Sequence, residues 1–286
     1  PPADAKQSVL ARDRQCGGLT ATALVAAARL GARCAYAGAL GNDEASQFVV
    51  TCLRRENIDT RHMPPRPSAK PCRSVIVVDA ARHTRNIFSD TTDLVGADPK
   101  APSKALLQST RVLLIDRFSV PGMLRAARIA RAAGVALVAD FENADWAGFQ
   151  ELFPLPDHLI VSEKFARDLT RARTPAAAVA KLWNPTRSTV VVTCGAQGCW
   201  YRDAQSPAPV FRPAFRVEAV DTTGCGDVFH GAYAAALAKA RPLADRIRIA
   251  SATAALKATR RGGQSGIPTW RQVQTFLTAN SLRADA

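Results

Sequence analysis

The feature that most constrains the fold of this chain is an alternation of short apolar segments with longer Ala-rich segments. A strand that is apolar along its whole length is typical of a sheet that is buried on both faces. Strands of this kind, when helices separate them, favour a mostly parallel sheet with helices packed on both sides. The predicted strands are residues 112–115, 135–139, 158–161 and 189–193, and the predicted helices are residues 20–30, 45–56, 123–133, 226–238, 244–259 and 269–279. The sequence therefore predicts a fold of the α/β class.

Two β-branched segments stand apart from this alternation. Residues 73–78 and 84–88 flank a polar turn, an arrangement that is typical of an antiparallel hairpin. The chain has 286 residues and contains no internal repeat, low-complexity stretch or long linker. We therefore predict a single domain over residues 1–286.

The net positive charge of the chain bears on which classes of ligand or partner it can bind. Lys and Arg number 38 against 24 Asp and Glu, and the resulting formal net charge of +14 suits an anionic ligand such as a nucleotide, a phosphorylated sugar or nucleic acid. The basic residues are scattered, and only 6% of the residues are aromatic, so platforms for stacking bases are scarce. We expect no nucleic-acid partner, and a nucleic-acid-binding protein stays as an alternative that the charge alone motivates.

Cysteine usage and hydropathy bear on the compartment. The seven cysteines show no CxxC spacing, which argues against a disulfide framework or a zinc site. No apolar run is long enough to span a bilayer, and the first residues show no secretory signal. We therefore expect a protein of the reducing cytoplasm that has no membrane partner.

The segment that carries most chemistry is VDTTGCGDVFHG, residues 220–231. It follows a strand-like segment at 214–217 and opens a long apolar helix. Gly224 and Gly226 allow the backbone to approach a ligand closely, and the helix N-terminus attracts anions. A carboxylate would repel a bound phosphate, but Asp227 is useful if it takes a proton from a hydroxyl that attacks a γ-phosphate. Alternatively, the helix dipole favours Asp227 as an ordinary helix-start acid, and these residues alone leave both interpretations open.

The same segment resembles the Asp-Thr-x-Gly-Ala-Gly-Asp signature of the ribokinase-like, PfkB-type carbohydrate kinases. The departure is Cys225, which stands where the family has alanine. The resemblance implies that Asp227 is the catalytic base and that the amides of Gly224, Cys225 and Gly226 stabilise the transferring phosphoryl group. By contrast, the chain has no GxxxxGK[ST] loop and no GxGxxG between a first strand and helix.

Further motifs extend the resemblance along most of the chain. Gly17-Gly18 is similar to the family's sugar-contacting segment, residues 38–43 resemble its Gly-x-x-Gly-x-Asp turn, and residues 193–198 resemble its Thr-x-Gly-x-x-Gly nucleotide loop. The resemblance implies that a small sugar is bound near Gly17, Gly18, Thr22 and Asp43. It implies that ATP is bound near Thr193, Gly195, Gly198, Glu163 and Ser251.

The resemblance also implies cofactors and an architecture. Residues 259–268 resemble a loop that supplies carbonyl oxygens to a monovalent cation, so the implied K⁺ ligands are Asp221, Thr223, Arg260 and Gly262. Mg²⁺ is implied as the partner of ATP. The implied fold is a three-layer α/β/α ribokinase-like domain with a mostly parallel central sheet. A small β lid at about residues 7–14 and 73–88 would cover the sugar and join two copies in a homodimer.

Two departures from the family pattern bear on activity. The family commonly has Asn-x-x-Glu after the strand at 158–161, to organise magnesium and phosphates, whereas this chain has Ser162 and Phe165 at those two positions and keeps only Glu163 as an acid. The family also begins with a strand and a sugar-binding aspartate, and this N-terminal strand is absent from the sequence given. Both departures leave open a catalytically impaired sugar- or nucleotide-binding regulatory protein.

The acceptor is predicted from the end of one strand and from the C-terminal segments. Asp116 and Arg117 follow residues 112–115, and ligands of α/β sheets bind at the carboxyl ends of the strands, so both are expected to select the substrate. Alternatively, they form a surface salt bridge. The C-terminal segments look closest to the sulfofructose kinase branch, although Phe88 and Phe118 stand where that branch's sulfonate-binding residues are expected. His230 is expected to pack one helical turn behind Asp227.

Overall fold

The structure, a computed structural model, describes residues 6, 8–79 and 84–281. Most predicted helices and strands form within a few residues of the predicted bounds. The helices are α1 Leu19–Arg29, α2 Glu44–Arg55, α3 Lys104–Ser109, α4 Val120–Ala132, α5 Phe149–Leu152, α6 Glu163–Thr170, α7 Pro175–Leu182, α8 Cys225–Ala238, α9 Leu243–Ala258 and α10 Trp270–Ser281. The strands are β1 Gly38–Ala39, β2 Arg73–Asp79, β3 Thr84–Asp90, β4 Gly96–Ala97, β5 Val112–Ile115, β6 Ala136–Asp140, β7 His158–Ser162, β8 Thr189–Thr193, β9 Gly198–Asp203 and β10 Val210–Pro213.

The central sheet is mostly parallel, as the apolar strands predict. Its order is β10-β9-β8-β7-β6-β5, in which β5 to β8 pair in parallel and β8, β9 and β10 pair antiparallel. The middle residues of β8, Val190 to Val192, are fully buried. β5 lies at one end of this sheet, and only Ile115 of its four residues is buried, so the prediction that both of its faces are buried is wrong.

Helices cover both faces of the sheet, so the three-layer α/β/α fold is confirmed. Val138, Ile160 and Val191 pack on one side against residues of α8, α9 and α10. Their neighbours along the strands point to the other side, where Leu159 and Val190 pack against α4, α6 and α7. This alternation places two apolar layers around one sheet, and full burial of each such side chain stabilises the fold by about 1.5–3 kcal/mol.

The hairpin lies outside this sheet. β2 and β3 pair antiparallel with Val75 opposite Phe88 and Ile76 opposite Ile87. Val75 and Phe88 remain 66% and 63% exposed. The predicted hairpin therefore forms, and its function as a lid stays a proposal.

Two predicted strands do not form. Residues 8–14 have no regular secondary structure, and Gln7 lies outside the described residues. Arg14 is held instead by side chains, because it pairs with Glu44 at 2.6 Å and stacks over the Phe48 ring. Residues 214–217 are also irregular, since Pro213 already pairs with Gly198, the first residue of β9, and no partner residues remain.

Some elements were not predicted from the sequence. They are α3, α5, α6, α7, β1, β4, β9 and β10. Most of them are short, and their apolar residues do not repeat over a length that would reveal a period. Separately, no helix in the described part of the chain is long and apolar enough to cross a bilayer.

One glycine sets how closely α1 and α8 approach. Gly231 lies within α8, and a Cβ atom at this position would overlap the carbonyl oxygen of Ala23 in α1. Only a glycine therefore allows the two helix backbones to pack at this distance. The contact fixes the position of the α8 N-terminus, six residues earlier.

We predict that Gly231→Ala destabilises the protein by about 1–3 kcal/mol, because the added methyl group forces α1 and α8 apart. An alanine within a helix otherwise stabilises it by roughly 0.5–1 kcal/mol, so the sign of the change is diagnostic. Chemical denaturation measures this free energy of unfolding, and a variant as stable as the wild type would contradict the prediction.

Candidate active site

The candidate site lies where the carboxyl ends of β5 and β6 meet the N-terminus of α8. Gly224 adopts a left-handed conformation with φ of 76° and is followed directly by the helix. The amides of Gly224 and Gly226 donate to no acceptor within the described residues, whereas the amide of Cys225 donates to Thr222 O at 3.2 Å. The prediction that all three amides bind phosphate is therefore corrected to two, because a turn already uses the third.

Asp227 is the acidic residue of the first turn of α8. Its pKa is raised well above the ordinary value for aspartate, mainly by burial and further by the like charges of Asp140 and Glu142. The nearby Lys257 ammonium acts in the opposite direction. A carboxylate with a raised pKa holds a transferred proton more firmly, which suits a general base.

Asp140 and Glu142 are site residues that were not predicted from the sequence. Asp140 ends β6 and Glu142 follows it, so both lie at the ligand-binding edge of the sheet. Burial is also the main cause of the raised pKa of each carboxyl. Their position directly after the predicted strand at 135–139 was the signal that could have found them.

His230 joins α8 to the sheet beneath the site. It is 5% exposed, and its Nδ1 lies 3.4 Å from Asp140 Oδ2 and 2.8 Å from Gly226 O. Its Nε2 lies 2.9 Å from Ile160 O in β7. Both ring nitrogens therefore face oxygen atoms, and these contacts hold the imidazole between α8 and the sheet. The expectation that His230 packs behind Asp227 is confirmed.

Asp116 is a second buried carboxyl at this edge. It accepts hydrogen bonds from Thr20 Oγ1 at 2.6 Å and from the Phe118 amide at 2.8 Å. Burial raises its pKa to about 6, and the charge of Asp140 adds to the effect. No surface salt bridge joins Asp116 to Arg117 among the described residues, so the alternative interpretation of this pair is wrong.

Arg117 is half-buried beside Asp116. Its guanidinium lies 4.6 Å from the centre of the Phe118 ring, and its buried Nε has no hydrogen-bond partner in the described part of the chain. A buried nitrogen without a hydrogen-bond partner is costly unless a ligand or water satisfies it. Arg117 therefore presents an available cation at the edge of the site.

The threonines of α1 have different surroundings from those predicted. Thr22 is 1% exposed, and its hydroxyl accepts a hydrogen bond from Gln264 Nε2 at 3.2 Å. A direct sugar contact by Thr22 is therefore not supported, because the helix buries it. Thr20, which hydrogen-bonds Asp116, is the α1 threonine that faces the carboxyl groups.

The remaining predicted sugar contacts lie at helix starts. Gly17 and Gly18 are exposed, and Gly18 precedes α1 with φ of 88°. Asp43 caps α2 by accepting a hydrogen bond from the Ser46 amide at 2.9 Å. Hydrogen bonds from Ser46 lower the pKa of Asp43 most, and the nearest charges that act on it are Arg73 and Lys70. The charge of Arg73, the first residue of β2, acts on Asp43, so Asp43 faces the hairpin.

The predicted nucleotide loop lies at the adjacent edge of the sheet. Thr193 ends β8, Gly195 begins a single 3-10 turn, and Gly198 begins β9. A Cβ atom on Gly198 would overlap the carbonyl oxygen of Arg212, so the loop requires a glycine at this position. The amide of Cys194 closes the turn by donating to Gly198 O at 2.7 Å.

Glu163 and Ser251 lie beside this loop. Glu163 begins α6, accepts from Arg167 Nη1 at 3.2 Å and helps raise the pKa of the Cys194 thiol to about 11, for which burial is the main cause. Ser251 is half-buried in α9, and its hydrogen bond with the Cys199 thiol lowers the pKa of that thiol, which burial raises. Both stay as proposed nucleotide contacts.

The residues expected to hold K⁺ do not fit a bound cation. Asp221 Oδ1 accepts from the Thr223 amide at 2.8 Å, and Asp221 Oδ2 accepts from the Gly262 amide at 2.9 Å. Its backbone oxygen accepts from Lys257 Nζ at 2.8 Å. Arg260 is exposed, whereas Gly262 is buried. An ammonium therefore already contacts the backbone oxygen of Asp221, one of the predicted K⁺ ligands.

Magnesium has a different requirement. No group of three or more His, Cys, Asp or Glu side chains is arranged to hold a metal ion within the described residues. Mg²⁺ commonly binds through one or two carboxylates together with substrate phosphates and water. Glu163 beside the nucleotide loop is a single carboxylate, paired with Arg167, and fits that mode.

Comparisons with known proteins agree with this architecture. A family model described as the pfkB family carbohydrate kinase matches residues 5–270. A ribokinase from Haemophilus influenzae is 28% identical over 273 residues, with 91% of this chain and 87% of that protein covered. The structure of ribokinase from Thermotoga maritima matches with a TM-score of 0.81 at 26% identity, over 96% of this chain and 91% of that chain. Aminoimidazole riboside kinase from Salmonella enterica, solved with aminoimidazole riboside and an ATP analogue, has a TM-score of 0.73 at 26% identity, with 91% of each chain covered.

The three-layer sheet and the glycine-rich start of α8 define a ribokinase-like fold. The match over residues 5–270 shows more than the fold. The chain belongs to the pfkB family of carbohydrate kinases, and it is a sugar kinase, a phosphotransferase with an alcohol acceptor. The resemblance of its motifs to this family is confirmed.

We predict that Asp140→Asn and Glu142→Gln each shift the acidic limb of the pH profile of kcat/KM to lower pH. Each change removes a like charge that raises the pKa of Asp227, so the base stays ionised in more acidic solution. Initial rates measured across pH give the position of the limb. Asp168→Asn, a change at an exposed acid on α6, is the control, and an unshifted limb in both site variants would contradict the prediction.

Proposed function

We propose that the protein transfers the γ-phosphate of ATP to a sugar hydroxyl with Asp227 as the general base. The observation that carries the proposal is a carboxylate of raised pKa in the first turn of a helix whose leading amides are unoccupied. An ATP analogue bound to the Salmonella relative supports ATP as the donor. The catalytically impaired alternative is not favoured, because Asp227 is present and the relatives are kinases.

The proposed step is an in-line displacement. The acceptor O–H gives its proton to the Asp227 carboxylate while its oxygen forms a bond to the γ-phosphorus. The bond from the γ-phosphorus to the β,γ-bridging oxygen breaks, and that oxygen leaves with ADP. The amides of Gly224 and Gly226 and the dipole of α8 stabilise the charge on the phosphoryl oxygens. Mg²⁺ supplies further charge neutralisation, with Glu163 as the proposed protein contact.

The proposed acceptor is a sugar that carries an anionic group. Arg117 supports this choice, because its buried Nε is unpaired and its guanidinium lies beside Asp116 and Thr20 at the edge of the site. The resemblance of the C-terminal segments to the sulfofructose kinase branch supports a sulfonate as that group. Asp116 is proposed to orient the sugar hydroxyls, since Thr20 and the Phe118 amide hold it in place.

The hairpin of β2 and β3 is the proposed lid, within a single domain that spans the chain. Its apolar side chains, Val75 and Phe88 among them, are largely exposed, and closure over the sugar or pairing with a second copy would cover them. We also propose a reducing, cytoplasmic setting, which the seven free cysteines support.

Asp227→Asn should lower kcat by about 100-fold to 10,000-fold, because it removes the group that accepts the proton. ATP affinity should change little, and calorimetry measures it separately from turnover. Asp245→Asn is a matched control, since Asp245 is also an acid in the first turn of a helix. Retained turnover in Asp227→Asn would leave Asp227 with a helix-start function alone.

Arg117→Gln should lower kcat/KM for an anionic sugar by about 10-fold to 100-fold, the effect expected from losing one charged hydrogen bond. The value for a neutral sugar of the same skeleton should change far less. Steady-state rates with sulfofructose and fructose as the paired acceptors make this comparison. Arg171→Gln, a change at an exposed arginine, serves as the control, and equal losses for both acceptors would argue against charge recognition.

A further inference from the structure

Lys257 is a lysine that the proposed chemical step does not use, and its surroundings are unusual. It lies near the C-terminal end of α9, and it is 0% exposed. Lysine is almost never fully buried without a partner, because the ammonium loses its hydration. The fold therefore compensates this charge with specific contacts.

Those contacts lead to the turn that opens the candidate site. Lys257 Nζ donates to Asp221 O at 2.8 Å and lies 4.0 Å from Asp221 Oδ1. Asp221 in turn accepts from the amides of Thr223 and Gly262 and donates its own amide to Ala258 O at 3.0 Å. One buried ammonium thus fixes the residue from which the anion-binding turn begins.

The same arrangement opposes binding of a metal cation at Asp221. A monovalent cation needs oxygen lone pairs that point toward it, and every hydrogen bond that an oxygen accepts leaves fewer lone pairs to offer. Both carboxylate oxygens of Asp221 accept amide hydrogens, and the backbone oxygen accepts the ammonium. Lys257 supplies positive charge at this position without any ion from solution.

The charge also reaches the base. Lys257 is among the groups that act on Asp227, where it favours the ionised carboxylate against burial and the neighbouring acids. The helix start at Gly224 follows Asp221 by three residues, so a displaced Asp221 would move the free amides of Gly224 and Gly226. Lys257 therefore acts on phosphate binding through its contact with Asp221, and on the base through its charge.

We propose that the Lys257 ammonium is a built-in cation that holds the turn at residues 221–226 ready for phosphate, so that the protein needs no monovalent cation. Lys257 is a positioning residue, because it acts through Asp221. The proposal rests on the proposed kinase function for its turnover readout, and it also has a readout in ATP affinity that needs no acceptor.

The first experiment uses the wild-type protein. ATP affinity by calorimetry, and turnover with a sugar acceptor, are measured in potassium, sodium and tetramethylammonium chloride at one ionic strength. We expect both quantities to agree within about twofold across the three salts, which corresponds to roughly 0.4 kcal/mol. A tenfold or larger advantage of potassium in either quantity would overturn the proposal.

The second experiment tests Lys257 directly. Lys257→Ala should weaken ATP binding at least tenfold, and ethylammonium, which restores an ammonium to the emptied space, should recover part of the loss. Lys257→Arg should retain more affinity than Lys257→Ala, because it keeps the charge. Weakened binding that ethylammonium does not improve, with Lys257→Arg no better than Lys257→Ala, would show that Lys257 only fills space.

Two controls separate the possible failures. Lys239→Ala removes a lysine that also donates to a backbone carbonyl, Leu30 O at 2.7 Å, but at the opposite end of α8. Ethylammonium should not change the ATP affinity of Lys239→Ala. Asp227→Asn should bind ATP with the same affinity in all three salts. If the kinase proposal fails, turnover is absent, but the effects of the Lys257 substitutions and of ethylammonium on ATP affinity can still be measured.

Discussion

The attachment of α8 to the sheet is the interaction on which the candidate site depends. His230 reaches from α8 to the carbonyl of Ile160 in β7 and to Asp140 at the end of β6. Gly231, the next residue, lets the backbone of α1 pack against the same helix. These two contacts set the height and direction of the helix, and thereby place its N-terminal amides at the ligand-binding edge of the sheet.

The site concentrates acidic groups, and its function requires that their charges are balanced. Burial is the main cause of the raised pKa of Asp116, Asp140 and Asp227, and the charge of Asp140 raises the pKa of the other two further. The His230 ring lowers the pKa of Asp140, and the Lys257 ammonium lowers the pKa of Asp227. These opposing effects leave Asp227 with a raised pKa, so that its carboxylate accepts a proton readily, and the positive charges reduce the repulsion between the acids.

The sequence predicted features whose cause is local, and it failed where the cause is long-range pairing. The apolar strands and the glycine-acid loop were predictable because periodicity and glycine geometry act over a few residues. Thr20 and Thr22 could not be distinguished, since only packing of α1 decides which hydroxyl meets Asp116 and which meets Gln264. The amide of Cys225 and the strand expected at 214–217 depend likewise on partners that the local pattern does not reveal.

The burial of α8 has a consequence for motion during turnover. Residues 228–236 of this helix are all buried, so it belongs to the part of the molecule whose amides should exchange with solvent most slowly. The proposed base therefore stands on an element that we expect to open rarely during turnover. We therefore expect the movements that admit the sugar and release product to come from more exposed segments, such as residues 8–18 and the hairpin of β2 and β3, while α8 keeps its position.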